Sequence, residues 1–165
     1  ARLGVIASIQ TIHLSSDRPW AIDRLGRERI DEGAYLWRSL IDSGVHVANG
    51  TDVPVEPINP IANFYAAVTR KTLAGLPSEG FESDQRMTRA EALLSLTQWN
   101  AYAVFMEDTL GSIRVGKAAD MTVLSQDIMT VDENLLLDTE VTMTVIGGEI
   151  VYHAQAPMVT GVTDQ

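Results

Sequence analysis

Short, nearly continuous apolar runs alternate with three-and-four-spaced apolar stripes over roughly the first 106 residues of this chain. The run Gly4-Val5-Ile6-Ala7-Ser8-Ile9-Gln10 predicts a buried strand. It ends in Thr11-Ile12-His13-Leu14-Ser15-Ser16-Asp17, and a charged loop with Pro19 and Trp20 is expected to follow. From about Ile30 to Ser43 the period is helical, with Ala34, Trp37, Leu40 and Ile41 on one face. Gly44 stands where a left-handed C-terminal cap is expected. A second apolar run, Val45 to Ala48, begins at once. Strand, helix and strand joined this tightly predict a βαβ unit with parallel strands and a right-handed crossover. Both strands are expected to be covered on both faces.

Asn59-Pro60 opens a further helical stretch, from about Ile61 to Ala74, that Gly75-Leu76-Pro77 closes. Residues 76 to 86 are polar. Thr88-Arg89-Ala90-Glu91 has the spacing of a capping box and predicts a helix to about Met106, with Leu93, Leu96, Ala101 and Val104 facing inward. The character changes at Gly111. Turn-rich sequence leads to a short strand at Met121-Thr122-Val123-Leu124, and an irregular polar stretch runs to about Asp138. Two alternating runs, Val141 to Ile146 and Glu149 to Tyr152, flank Gly147-Gly148, which is the signature of a two-residue hairpin. An α/β part over residues 1–107, a mainly β part over 108–155 and a tail over 156–165 are therefore expected.

Composition narrows the chemistry. The 165 residues are 45% hydrophobic, enough for a core, with a formal net charge of -10. That surplus disfavours nucleic acid and anionic membrane as partners, because no basic stripe exists to neutralise phosphates. With no cysteine there is no disulfide framework and no thiolate metal site, so any metal must be held by His and carboxylate. No apolar run approaches the roughly 18 residues of a membrane span. With no signal peptide in view, cytoplasm is the expected compartment.

The candidate chemistry centres on Ala48-Asn49-Gly50-Thr51-Asp52-Val53-Pro54-Val55. Asp52 falls just past the tip of a buried strand, where α/β folds place reactive groups. On the residues alone two readings stand: a working carboxylate, or a cap of the next turn. His13, past the end of the first strand, is open in the same way, between a site role and a hydrogen-bonded loop histidine. His46 reads as a packing histidine inside the second strand and His153 as a surface residue. Lys117 and Asp120 read as turn residues.

Four segments carry a resemblance. Gly4 to His13 resembles the seventh barrel strand of the amidohydrolase superfamily, in the family-three branch, whose strand ends in Gln-x-x-His as Gln10-Thr11-Ile12-His13 does here. Asn49 to Pro54 resembles the branch's Gly-Ser-Asp motif after strand eight, with Thr51 for the usual Ser. Met87 to Ala103 resembles its next helix, with Tyr102 where a small residue is usual. Gly111-Ser112-Ile113, Gly116-Lys117 and Ala119-Asp120 match its GSIxxGKxAD segment and are the most specific of the four.

The resemblance implies a (β/α)8 TIM barrel with one or two metal ions, often zinc, at the C-terminal ends of its strands. It also implies a composite β-sandwich built from both ends of the polypeptide. The implied reaction is hydrolysis of carbon–nitrogen bonds in small-molecule amides or cyclic amides. Asp52 then corresponds to the metal ligand and proton shuttle, and His13 to a substrate-binding residue. A barrel needs about 200 residues or more, and the branch's other ligands, from earlier strands, have no counterpart among His13, His46 and His153. The chain is thus expected to be the C-terminal portion of a longer enzyme, with the last two barrel strands and part of the sandwich. Two alternatives remain: an inert structural fragment, and a degenerate barrel used as a binding scaffold.

The remainder of the enzyme is then a partner, and copies of the chain itself are another. Unpaired apolar strand edges invite pairing, and a few hundred Å² of bare apolar surface forgoes several kcal/mol at about 25 cal/mol/Å². The isolated 165 residues are expected to self-associate in light scattering. A monodisperse monomer with a cooperative melt well above about 50 °C would show a closed core instead.

Overall fold

The computed structural model describes residues 2–154, so the expected tail lies outside the described residues. The element order is β1 (Ala7–Ile9), α1 (His13–Ser16), α2 (Arg18–Leu25), α3 (Arg27–Gly33), α4 (Trp37–Asp42), β2 (Val47–Asn49), α5 (Pro60–Thr69), α6 (Arg89–Leu96), α7 (Gln98–Ala103), β3 (Met121–Leu124), β4 (Val141–Ile146) and β5 (Glu149–His153). β1 and β2 pair in parallel, with Ala7 opposite Val47 and Ile9 opposite Asn49. β3, β4 and β5 form an antiparallel sheet in that order.

The parallel pairing follows the βαβ expectation, but the connection is more helical than the sequence pattern suggested. Residues 14–29, expected as loop, belong mostly to α1, α2 and α3. Pro19 sits in the first turn of α2, where a missing N–H costs no hydrogen bond. The Trp20 indole donates to the Ser16 carbonyl at 3.1 Å. The helix expected from Ile30 to Ser43 is broken, because Tyr35 takes a left-handed φ of 57°. Its carbonyl accepts from Arg70 Nη1 at 2.8 Å, a long-range bond no local pattern encodes. Past that break α4 buries Trp37 and packs Leu40 and Ile41 on the core as expected. It ends in a Schellman arrangement: Gly44 N–H reaches the Ile41 carbonyl (2.8 Å) and Val45 N–H the Leu40 carbonyl (3.4 Å).

α5 lies at the centre. Asn59 caps it by accepting from Ile61 N–H at 3.0 Å, and nearly every residue from Ile61 to Thr69 is buried. It stops at Arg70 rather than near Ala74, since Arg70 turns left-handed (φ 56°). Its fully buried guanidinium folds back to the Phe81 carbonyl (2.5 Å) and lies 4.4 Å from the Trp37 ring centroid. Gly80 crosses so closely above this end that a Cβ there would meet the Thr69 carbonyl at 2.3 Å.

The helix expected to run on to Met106 is two helices, parted at Thr97. Its buried face carries Ala92, Ser95 and Ala101, whereas Leu93 and Val104 are exposed. Small side chains let α6 and α7 lie close to β2 and α5. Gly111 meets α7 so tightly that a Cβ would sit 2.8 Å from that of Ala101. Beyond it, the Lys117 ammonium donates to the carbonyls of Glu107 (2.5 Å) and Leu110 (3.0 Å). Asp120 reaches further than a local turn, accepting from Gly147 N–H at 2.7 Å in the β4–β5 hairpin. Both hairpin glycines have positive φ, as a primed turn requires.

The capping box of α6 is present, and Glu91 does more than cap. It accepts from the Thr88 N–H (2.8 Å) and hydroxyl (2.7 Å) and from Arg38 Nη1 of α4 (2.7 Å), while Arg38 Nη2 pairs with its other oxygen. Arg38 above all, and Thr88 after it, pull the Glu91 carboxyl down to about 2. A depressed pKa contributes stability that is complete above the unfolded value near 4.5 and fades as pH falls toward 2. Acid melts should therefore lose about 1–2 kcal/mol over that window in wild type, after discounting for partial exposure. Glu91→Gln should flatten the dependence, and an unchanged profile would remove the Arg38–Glu91 pair from the stability account.

Candidate active site

The β1–β2 ladder ends with Gly50 N–H donating to the Ile9 carbonyl at 3.1 Å. Two loops leave the sheet at this C-terminal end, one carrying His13 and the other Asp52. A buried polar knot takes over where the ladder stops. Asn49, 2% exposed, accepts from Thr11 N–H at 3.1 Å and donates through Nδ2 to Thr11 Oγ1 at 2.9 Å. The Thr11 hydroxyl in turn lies 2.8 Å from the Asn63 carbonyl, and Asn63 Oδ1 accepts from Ile12 N–H at 2.9 Å. On the far edge of β2, Asn100 accepts from Asn49 N–H (3.1 Å) and donates to its carbonyl (3.0 Å), occupying the place a neighbouring strand residue would take.

Asp52 follows this knot. It is exposed and left-handed, with φ 56°, a region Asp tolerates better than most residues. Its carbonyl accepts from Val55 N–H at 2.8 Å, which closes the turn and leaves the carboxylate outside it. His13 opens α1 and is half-buried. Its Nε2 is buried without a hydrogen-bond partner among the described residues. The two residues thus sit beyond the same end of one parallel pair, with no hydrogen bond between them among the described residues.

The other histidines lie elsewhere. His46 precedes β2, at the opposite end of the strand, half-buried rather than enclosed in the core. Its ring meets Tyr102 edge-on at 4.3 Å, and with Trp99 and Lys117 it lines a cleft of about 160 Å³. His153 is exposed at the end of β5. Among the described residues, no group of three or more His, Asp or Glu side chains is placed to hold a metal ion.

Several supporting residues escaped the sequence reading. Asn63 was legible in principle, as a polar residue in an otherwise apolar helix, and so was Asn49 at the end of an apolar run. Arg18, Arg70 and Glu82 were not. Arg18 pairs with Glu82 at 2.5 Å and Arg70 with its other oxygen at 3.4 Å. Burial pushes the Arg70 guanidinium down to about 10 against the pull of Glu82.

Comparison with known proteins adds the family. The amidohydrolase family model, in its family-three form, matches residues 1–152. The chain belongs to the amidohydrolase family. It is 36% identical over 152 residues to YtcJ of Bacillus subtilis (strain 168), a protein whose own name assigns it to the amidohydrolases, across 92% of this chain and 28% of that one. It is 34% identical over 115 residues to the N-substituted formamide deformylase of Arthrobacter pascens, across 70% of this chain and 21% of the relative. Among solved structures it is similar to an uncharacterized metal-dependent hydrolase from Pyrococcus horikoshii OT3, with a TM-score of 0.66 and 27% identity over 81% of this chain and 26% of that one. The chain spans roughly a quarter of the length of these amidohydrolase relatives.

One carboxylate and one imidazole fall short of the roughly three protein ligands of a catalytic zinc site. The isolated chain is therefore expected to retain no stoichiometric zinc after dialysis, as read by elemental analysis. One tightly held equivalent that disappears in Asp52→Ala would mean that these residues complete a site by themselves.

Proposed function

We propose that this chain is the C-terminal portion of a metal-dependent hydrolase of non-peptide carbon–nitrogen bonds. Residues 1–107 would supply the last two strands of a TIM barrel and residues 108–155 part of a small β-sandwich domain. The observation that carries the reading is the exposed Asp52 held just past the C-terminal end of a parallel strand. Parallel sheets ringed by helices carry their chemistry at that end. The family membership and the names of the formamide deformylase and the Pyrococcus hydrolase support the reaction class.

Asp52 fits one position in a divalent-metal ligand set. It is a hard oxygen donor, exposed, and unencumbered by its own turn. Zinc is the metal the family resemblance implies, with the remaining ligands coming from parts of the polypeptide outside these residues. When bound, such a metal supplies Lewis acidity and brings the pKa of its water close to 7. Asp52 would take the proton from the water as its oxygen bonds to the carbonyl carbon, and would pass it to the nitrogen as the carbon–nitrogen bond breaks. A poor amide leaving group thereby departs as an amine. His13, beyond the end of the neighbouring strand, is the substrate-binding residue that the family resemblance implies.

The test is Asp52→Asn in the full-length enzyme, assayed on a panel of N-formyl amines, linear amides and cyclic amides. Turnover on the best substrate should fall by about 10²–10⁴, with circular dichroism and melting temperature unchanged. Retention of activity within a few-fold would remove Asp52 from the chemistry.

A further inference from the structure

We infer that Asn49 is a positioning residue that couples the His13 loop to the Asp52 loop, with Asn63 bracing the same joint from α5. The inference rests on the reading of Asp52 and His13 given above, and it extends that reading to groups that touch neither substrate nor metal.

The strand ladder itself cannot fix these loops relative to one another. Its register ends at Ile9 and Asn49, and its last main-chain bond is Gly50 N–H to the Ile9 carbonyl. His13 lies four residues past the end of β1, and Asp52 three past the end of β2. What spans the gap is the Asn49 side chain. It grips Thr11 at two points, the N–H at 3.1 Å and the hydroxyl at 2.9 Å. The Thr11 hydroxyl gives its proton to the Asn63 carbonyl, so its partner must donate to it while also accepting from the Thr11 N–H; a primary amide offers both, whereas a carboxylate offers only acceptors and an alkyl group neither.

Asn63 closes the joint from the other side. Its Oδ1 takes the N–H of Ile12, the residue directly before His13, and its carbonyl takes the Thr11 hydroxyl. The main chain leading into His13 is thus pinned at residues 11 and 12 by two buried amides. Asn49 is itself held from behind by the Asn100 fork, so a displacement at Thr11 passes directly into the strand end that carries Asp52. The joint is withdrawn from solvent: Thr11 and Asn63 are fully buried, Asn49 is 2% exposed, and the Asn100 fork is part-buried, while Asn63 Nδ2 has no partner among the described residues. Buried polar bonds of this kind tolerate little slack, because an unpaired partner has no water to turn to.

The experiment uses the full-length enzyme and three variants. Asn49→Ala deletes both grips on Thr11 but leaves the main-chain bonds to Asn100. Thr11→Val keeps the shape and deletes only the hydroxyl, and serves if Asn49→Ala does not fold. Leu136→Ala, in the core and making none of the joint's hydrogen bonds, is the control for lost stability alone. The expected result for either joint variant is a fall in kcat of about 10–100-fold with KM nearly unchanged, the scale on which small misplacements act. The His13 imidazole cross-peak should also shift or broaden in the NMR spectrum of Thr11→Val and Asn49→Ala, and stay in place in Leu136→Ala.

A stable joint variant with kcat within two-fold of wild type and an unmoved His13 cross-peak would overturn the coupling. So would equal losses in Leu136→Ala. If Asp52→Asn keeps full activity, the functional reading fails on its own account. The His13 cross-peak then still decides whether Asn49 couples the two loops, because it reports their geometry and not turnover.

Discussion

The hydrogen bonds between Asn49 and Thr11 are the constraint around which this structure is arranged. They stand where a two-stranded parallel ladder runs out and two loops begin. Everything packed on the strand ends meets them. α5 reaches them through Asn63, α6 through Ser95, whose hydroxyl lies 3.4 Å from Asn49 Nδ2, and α7 through Asn100. A loose contact here would leave several buried donors and acceptors unpaired at once, each costing about 1–3 kcal/mol. The knot therefore forms as a unit. It converts a short strand pair into a platform with two directed loops.

A second polar cluster supports the platform from the helical side. Glu82 accepts from Arg18 of α2 and from Arg70 at the end of α5, and Arg70 also holds the Tyr35 and Phe81 carbonyls. Both guanidiniums lie over aromatic rings, Arg18 over Phe81 at 4.8 Å and Arg70 over Trp37 at 4.4 Å. Charges this deep are tolerated because both arginines share Glu82 and Arg70 adds two main-chain carbonyls; removing Glu82 strands the others in a medium that cannot solvate them. The cluster fixes α2, and α2 follows directly on the short helix that His13 opens. Arrangement of the site thus depends on an ion pair between Arg18 and Glu82, 64 residues apart in sequence.

The family membership and this geometry bear on each other. Segments that define the amidohydrolase pattern coincide with the places of tightest physical constraint. Gly111 opens the Gly-Ser-Ile stretch because a side chain there would collide with α7. Lys117 and Asp120 act in that stretch as tethers, one to the carbonyls that end the helical part and one to the turn of the hairpin. Asn49, next to the Gly-Thr-Asp stretch, is the clamp. These motifs encode joints between layers as much as chemistry.

Local chemistry in the sequence determined a good deal by itself. Apolar runs of strand length joined by a short helix-to-strand turn dictated a parallel pair. Asn59-Pro60 and Thr88 with Glu91 dictated two helix starts, and Gly147-Gly148 dictated the hairpin, since each acts through neighbours within a few residues. It also singled out Asp52 and His13 as residues past strand ends. Only the tertiary structure decided where helices stop and which faces they bury. Tyr35 and Arg70 break helices that the periodicity would continue, because the energy of a guanidinium bonded to carbonyls 11 and 35 residues away outweighs one turn of propensity. Ala92 and Ser95 face inward in place of Leu93 because α6 turns that side toward β2 and α5. The Asn49 amide likewise acquires its meaning only when Thr11, 38 residues earlier, is folded against it. A pattern of polarity records which residues avoid water, but the partner of a buried polar group is set by the fold.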